Sequence, residues 1–204
     1  HRGRPVPFPP RPGGVTMKIS KQADFELAPV GTHAARITTL ADLGTQRTEW
    51  QGAEREAHKL GVTFELSSRR GKDGQRLAVF DRITVSLHEK ARLYEIALAA
   101  LGGEVPEQLD PNDLLGKPVL VTLVHRAAGT RTFANVAGVT AIPEGMAVGD
   151  TDTPLLYFDL DSPDPAVFAK LPALFRKLIE GRVRPSRGFT GPQEDADPDD
   201  DISF

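Results

Sequence analysis

Cysteine is absent from the chain. Its absence removes disulfide frameworks, thiolate zinc sites, iron–sulfur clusters and thiol nucleophiles together, and suits a reducing cytoplasm. Long apolar runs are also missing: no stretch approaches the roughly 20 residues that cross a bilayer, so no membrane partner is expected. Catalytic spacing is equally scarce, with no GxxxxGK(S/T) phosphate loop, no GxGxxG after a strand, no HExxH and no GxSxG. The five histidines, His1, His33, His58, His88 and His125, stand singly, without the close spacing of a metal site. Neither a metal, a cofactor nor an enzymatic activity is expected. Asp159 and Asp161 share one side of an extended segment and could hold Mg²⁺ for a nuclease. Solvated strand-end carboxylates before a helix cap have the same spacing.

What is present suits a globular protein: 204 residues, 39% hydrophobic and 26% charged, with 6% aromatic. The formal charge of -3 is unevenly spread. Residues 1–16 carry Arg2, Arg4 and Arg11 and no acid, while residues 191–204 carry six acids and no base. The intervening body therefore holds 22 bases against 22 acids. With no net attraction to a polyanion, nucleic-acid binding requires bases gathered on one face. The first sixteen residues are rich in Pro, Gly and Arg and precede Met17. They read as a disordered extension ahead of the natural start, without a secretory signal.

From residue 31 onward short β-rich runs alternate with turn residues. Residues 32–43, 62–67 and 77–87 are read as three antiparallel strands. A polar loop over 45–61 joins the first two, and the Gly-containing hairpin RRGKDGQR joins the second and third. The period then changes. HEKARLYEIALAAL places Leu93, Ile96, Ala97, Ala100 and Leu101 on one face of a helix, with Ser86 and Glu89 as a capping box and Gly102-Gly103 as its stop. Asp110 and Pro111 mark a short helical turn. PVLVTLVHR and TRTFANVAGVTAI form a second hairpin, and residues 154–161 a sixth, peripheral strand.

Asp164 and Pro165 open a C-terminal amphipathic helix with Phe168, Leu171, Phe175, Leu178 and Ile179 as its stripe. Pro172 kinks or splits it. This helix, 165–181, either covers an open barrel end or packs on a copy of itself in a homo-oligomer. Five strands with a helix between the third and fourth follow the order of an OB-fold, a small Greek-key barrel. The expected fold is thus mainly β. The expected organisation is an extension (1–16), an OB-fold nucleic-acid-binding domain (17–150), a peripheral strand and helix (151–182) and a disordered acidic tail (183–204).

Binding residues are better represented than catalytic ones. Arg69, Arg70, Lys72 and Arg76 crowd the first hairpin tip, with Arg82 on the returning strand. Lys117, His125, Arg126 and Arg131 lie at the ends of the second hairpin. Arg47 and Trp50 lie in the polar loop. In OB-folds such hairpins flank a groove where bases track phosphates and rings stack on nucleobases. Candidate rings are Trp50, Phe64, Phe80, Tyr94 and Phe133. Phe64 and Phe80 are equally expected in a barrel core, whereas Phe133 alternates with Arg131 and Asn135. The sequence closes on Asp199, Asp200, Asp201, Ile202, Ser203 and Phe204. This carboxylate cluster with an apolar end suits a partner pocket lined by bases around an apolar cavity.

The ending DDDISF resembles the acidic tip of bacterial and phage single-stranded DNA-binding proteins. APVGTHAARITTLADLGTQ, VSLHEKARL, LLGKPVLVTLVHR and FANVAGVTAIPEGM, spanning roughly 28–146, resemble a phage-encoded group of that class. The resemblance implies an OB-fold in the host cytoplasm that binds single-stranded DNA without strong sequence preference. It also implies a tip, carried by Asp199, Asp200, Asp201, Ile202 and Phe204, that recruits replication, recombination or repair proteins. It assigns no individual groove residue. A protein-interaction adaptor whose barrel binds protein, with the tail as a solubility device, is the alternative.

Overall fold

The structure, a computed structural model, describes residues 26–50 and 52–184. The proline-rich extension, the side chain of Trp50 and the acidic tip Asp199, Asp200, Asp201, Ile202 and Phe204 lie outside the described residues. The elements are β1 (Gly31–Trp50), β2 (Ala53–Arg70), β3 (Arg76–Thr84), α1 (Arg92–Leu101), a 3₁₀ turn (Pro111–Leu114), β4 (Pro118–Ala128), β5 (Arg131–Thr140), β6 (Leu156–Phe158), α2 (Pro165–Lys170) and α3 (Ala173–Glu180). The fold is mainly β, with short helices. Strands run β3-β2-β1-β4-β5, all antiparallel, and β6 adds to β1 in parallel. Among the described residues no ladder joins β5 to β3, so the sheet path is open rather than a hydrogen-bonded barrel.

β1 organises the sheet because it changes neighbours along its length. Gly31–Arg36 pair with β4, Thr39–Ala41 with β6, and Ala35 onward with β2. Two register shifts in the β1–β2 ladder, at Ile37/Thr39 and Asp42/Gly44, bend it between these partners. Gly44 accommodates the second at φ 68°. The strand does not stop at this glycine, and the expected polar loop 45–61 is instead a two-stranded arm. It pairs from Gly44↔Lys59 to Trp50↔Ala53 and turns at Gly52, φ 79°. The arm is polar on both faces, so it lacks the apolar alternation that marks a half-buried strand.

The main core lies inside the curved sheet. Ile37, Leu40, Val62, Phe64, Leu66, Val79, Ile83, Val119, Val121 and Leu123 meet Leu93, Ile96 and Ala97 of α1. Phe64 is fully buried there and offers no stacking face. The capping box does not form: α1 starts at Arg92, and its N-cap, Ala91, makes no side-chain bond. Ser86 Oγ instead accepts the His88 amide at 3.2 Å in a local turn, which leaves it unable to reach the helix. The caps at Asp110 and Asp164, each followed by Pro, form as expected.

Where a barrel would join β5 to β3, α1 takes up the exposed backbone. β5 slips by one residue at Ala137. Arg92 donates to the Val136 and Ala137 carbonyls at 3.0 and 3.3 Å, and Glu95 accepts the Val139 amide at 2.7 Å. Arg92 also pairs with Glu95 at 2.8 Å and lies 3.9 Å from Asp81 of β3. Side chains thus bridge the seam.

A second core forms on the outer face. Leu171, Phe175 and Ile179 bury with Ala41, Leu43 and Phe158, joined by Phe80, Leu160 and Phe168. Pro172 splits the helix in two, since it cannot donate a backbone bond and stands at ψ 141°. The C-terminal helices therefore cover the outer side of the chain's own β1–β3, rather than a barrel end. Phe175 meets Phe80 edge-on, centroids 5.8 Å apart, and sits over Gly61, where a Cβ would lie 2.9 Å from the ring. Gly61→Ala is expected to lower the unfolding free energy by about 1–3 kcal/mol through overpacking. Urea denaturation checks this, and an unchanged midpoint would mean that the ring shifts freely.

Candidate nucleic-acid interface

β2 and β4 flank the first part of β1 and both run antiparallel to it; β4 continues five residues past the Gly31↔Leu123 pair, and β2, paired from Ala35↔Leu66, ends level with Gly31. The β2–β3 and β4–β5 hairpin tips therefore project from the same end of the sheet, one on each side of Gly31. The first tip is shaped by Gly71 and Gly74, the latter at φ 81°, and by Asp73 Oδ1 accepting the Gln75 amide at 3.0 Å. It exposes Arg69, Arg70 and Lys72. On the second tip Arg126 stands directly opposite Phe133, and Ala128 opposite Arg131. Alternation puts Arg126, Arg131 and the half-buried Phe133 on one face. His125 points to the other face, where its Nε2 donates to the Ala28 carbonyl at 2.8 Å and ties down the chain entering β1.

Several expected contacts are already engaged. Arg70 pairs with Asp152 at 2.5 Å. Arg76, only 13% exposed, lies 3.4 Å from Asp152 and 3.7 Å from Glu65. The Arg70 hydrogen bond holds the Asp152 carboxyl below its ordinary value. Glu65 is 1% exposed and accepts the amides of Asp152 and Thr153 at 2.8 and 3.0 Å, along with the Thr153 hydroxyl. Arg36, its direct partner across the β1–β2 ladder, donates to the Val148, Gly149 and Gly116 carbonyls, each at 2.8 Å. Together the pair straps residues 148–153 across the outer face of the sheet.

The other expected residues are not brought together with the tips. Arg47 lies on the arm, paired with Glu56 at 3.0 Å and Glu54 at 3.7 Å. Lys117 is exposed at the opposite end of β4 from the tip. Arg82 lies in mid-β3 opposite Gly61, beside the face that α3 covers. Phe80 packs under Phe175, and Tyr94 is half-buried on α1. Sequence reasoning missed Arg36 and Glu65. Their signal was a charged residue in the middle of each apolar strand run. Asp159 Oδ1 accepts the Asp161 amide at 2.9 Å, the turn geometry of strand-end carboxylates. Among the described residues no group of three or more His, Asp or Glu could hold a metal ion, and no helix is long and apolar enough to cross a membrane.

The base of the arm carries a titratable pair. His58 Nε2 meets Asp42 Oδ1 at 2.7 Å, and Gly44 donates its amide to the same oxygen. α3 closes on this base: Gln46 Nε2 donates to the Leu178 carbonyl at 3.0 Å, and the Val183 amide to that of Thr45 at 2.8 Å. The Asp42 hydrogen bond raises the His58 pKa above 6.5, against the opposing effect of burial. Burial raises the Asp42 pKa, but its hydrogen bonds to His58 and Gly44 outweigh this and hold it below 3.8.

Because the folded His58 value is raised, its share of stability is full below about pH 6.5 and is lost as pH rises through the folded pKa. The Asp42 share is full above its unfolded pKa of 3.8 and is lost as pH falls through the lowered folded value. An NMR titration is expected to place the His58 midpoint above 6.5. Asp42→Asn should lower it, since burial is then opposed only by the more distant charge of Asp161. No protein-family model matches the chain, and no curated protein matches it in sequence.

Proposed function

We propose that the protein binds single-stranded DNA without strong sequence preference, in replication or recombination, and recruits partner proteins through its acidic C-terminal tip. The observation that carries this reading is the pair of basic hairpin tips flanking the start of β1, with Phe133 set between Arg126 and Arg131. Guanidinium and ammonium groups on both tips would track phosphates, while the Phe133 ring stacks on a base. The strand path, with α1 between β3 and β4 and packed against β3, β4 and β5, supports an OB-fold. In this reading the bridge of Arg92, Glu95 and Asp81 stands in for the closing ladder. The DDDISF ending supports the recruiting role.

The adaptor alternative draws on a different observation: Arg47, Arg70 and Arg76 are already paired with acids, and the body of the chain is neutral overall. Fluorescence anisotropy with oligo-dT separates the two. Single-strand binding predicts retention that weakens steeply as salt rises. No retention at low salt would sink it and leave the adaptor. Phe133→Ala should weaken oligo-dT binding about tenfold, in line with roughly 1–3 kcal/mol per stacked base. Deleting residues 194–204 should leave DNA affinity equal or higher while abolishing pull-down of a helicase, primase or recombination protein, and Phe204→Ala should reproduce the pull-down loss.

A further inference from the structure

We propose that Arg70 and Arg76 form a phosphate-binding site that the chain keeps occupied with its own Asp152, a carboxylate that a bound single strand must displace. The proposal rests on the single-strand reading above and adds to it a specific site and an internal competitor.

Three features of the strap carry it. First, the carboxylate is placed as a ligand would be. Its two oxygens face two guanidinium groups on opposite sides of one hairpin, Oδ2 at 2.5 Å from Arg70 and Oδ1 at 3.4 Å from Arg76. Each guanidinium meets one oxygen through one nitrogen, Arg70 Nη1 and Arg76 Nε, and a phosphate oxygen can take the place of a carboxylate oxygen at either. Second, the strap has anchors besides the Asp152 side chain. Glu65 holds residues 152 and 153 through their backbone amides, and Arg36 holds 148 and 149 through their carbonyls. The carboxylate can therefore swing out while the strap stays anchored. Third, the site lies where a strand would pass. Arg70 ends β2 at the tip that also exposes Arg69 and Lys72, and the Asp152 side chain is 42% exposed. Glu65, 3.7 Å from Arg76, has its own backbone donors and stays in place.

The competition is between one tethered carboxylate and a polyanion. A strand that takes over Arg70 and Arg76 gains counterion release at each phosphate it places, which the internal carboxylate does not supply. Affinity is held down in the resting chain, and binding needs enough neighbouring contacts, from Arg69, Lys72, Arg126 and Arg131, to displace the carboxylate.

The test compares oligo-dT affinity, across a salt series, for wild type, Asp152→Asn, Arg70→Ala/Asp152→Asn and Glu107→Gln. The last removes an exposed acid outside the strap and controls for net charge. Asp152→Asn should bind about fivefold tighter or more, with a log–log salt slope steeper by about one. Glu107→Gln should gain less than about twofold, and the double variant should lose the gain. An Asp152→Asn protein no tighter than Glu107→Gln, while wild type binds normally, overturns the site and leaves single-strand binding standing. Retention by Asp152→Asn alone supports the masked site. If neither protein retains oligo-dT at low salt, both the site and the single-strand reading fall. A double variant that keeps the gain also overturns the site, because Arg70 would then contribute nothing.

Discussion

One buried carboxylate sets the layout of the outer surface. Glu65 sits in the middle of β2 with almost no exposure, and an unpaired charge there would cost several kcal/mol. The sheet cannot satisfy it, because its own backbone groups are engaged in the ladders on either side. The donors come from residues 152 and 153, so the chain leaving β5 has to cross the sheet rather than run off it. Arg36, directly across the ladder, fixes the start of that crossing by donating to two of its carbonyls. Once the strap is laid, β6 reaches the edge of β1 that β4 has left free. The paired helices α2 and α3 then fold onto Ala41, Gly61 and Phe80.

The same crossing decides which basic residues remain available. On the outer face of β1–β3, Arg36 and Arg76 are drawn into the strap and Phe80 into the second core. The two hairpin tips reach beyond the covered area and keep Arg69, Lys72, Arg126 and Arg131 exposed. A body with balanced charge can in this way present a local excess of one sign, because its acids are placed against particular partners and not evenly around the surface. The arm shows the opposite outcome. Arg47 is matched by Glu54 and Glu56 across the ladder, which leaves that hairpin close to neutral and guards its edges against pairing with other strands.

The apolar patterns were legible in the sequence because burial had left its period in them. Alternation marked the paired parts of β2 and β3, the 3.6-residue stripe marked α1, and Asp-Pro pairs marked the starts of two helical segments. The break at Pro172 followed from its missing donor. The arm was not legible, because a strand polar on both faces has no apolar period. The capping box failed because a nearby amide captured Ser86. The basic tips could be placed from hairpin logic alone. The pairing of Arg70 and Arg76 could not, since Asp152 lies 82 residues from Arg70 and 76 from Arg76 in sequence. Glu65 has a signal of its own: an acid in the middle of VTFELS needs donors that the strand itself lacks.

The dependence of β1 on late partners has a consequence during synthesis. The meander β1–β3 can pair as soon as it leaves the ribosome, but β4 follows more than thirty residues later, and Phe175 trails Gly61 by 114 residues. At about 5–20 residues per second that is on the order of ten seconds in which Ala41, Leu43 and Phe80 of the nascent sheet stand bare. During that interval β3 and the free edge of β1 are open to association with other nascent chains. The polar, charge-paired arm resists it by composition.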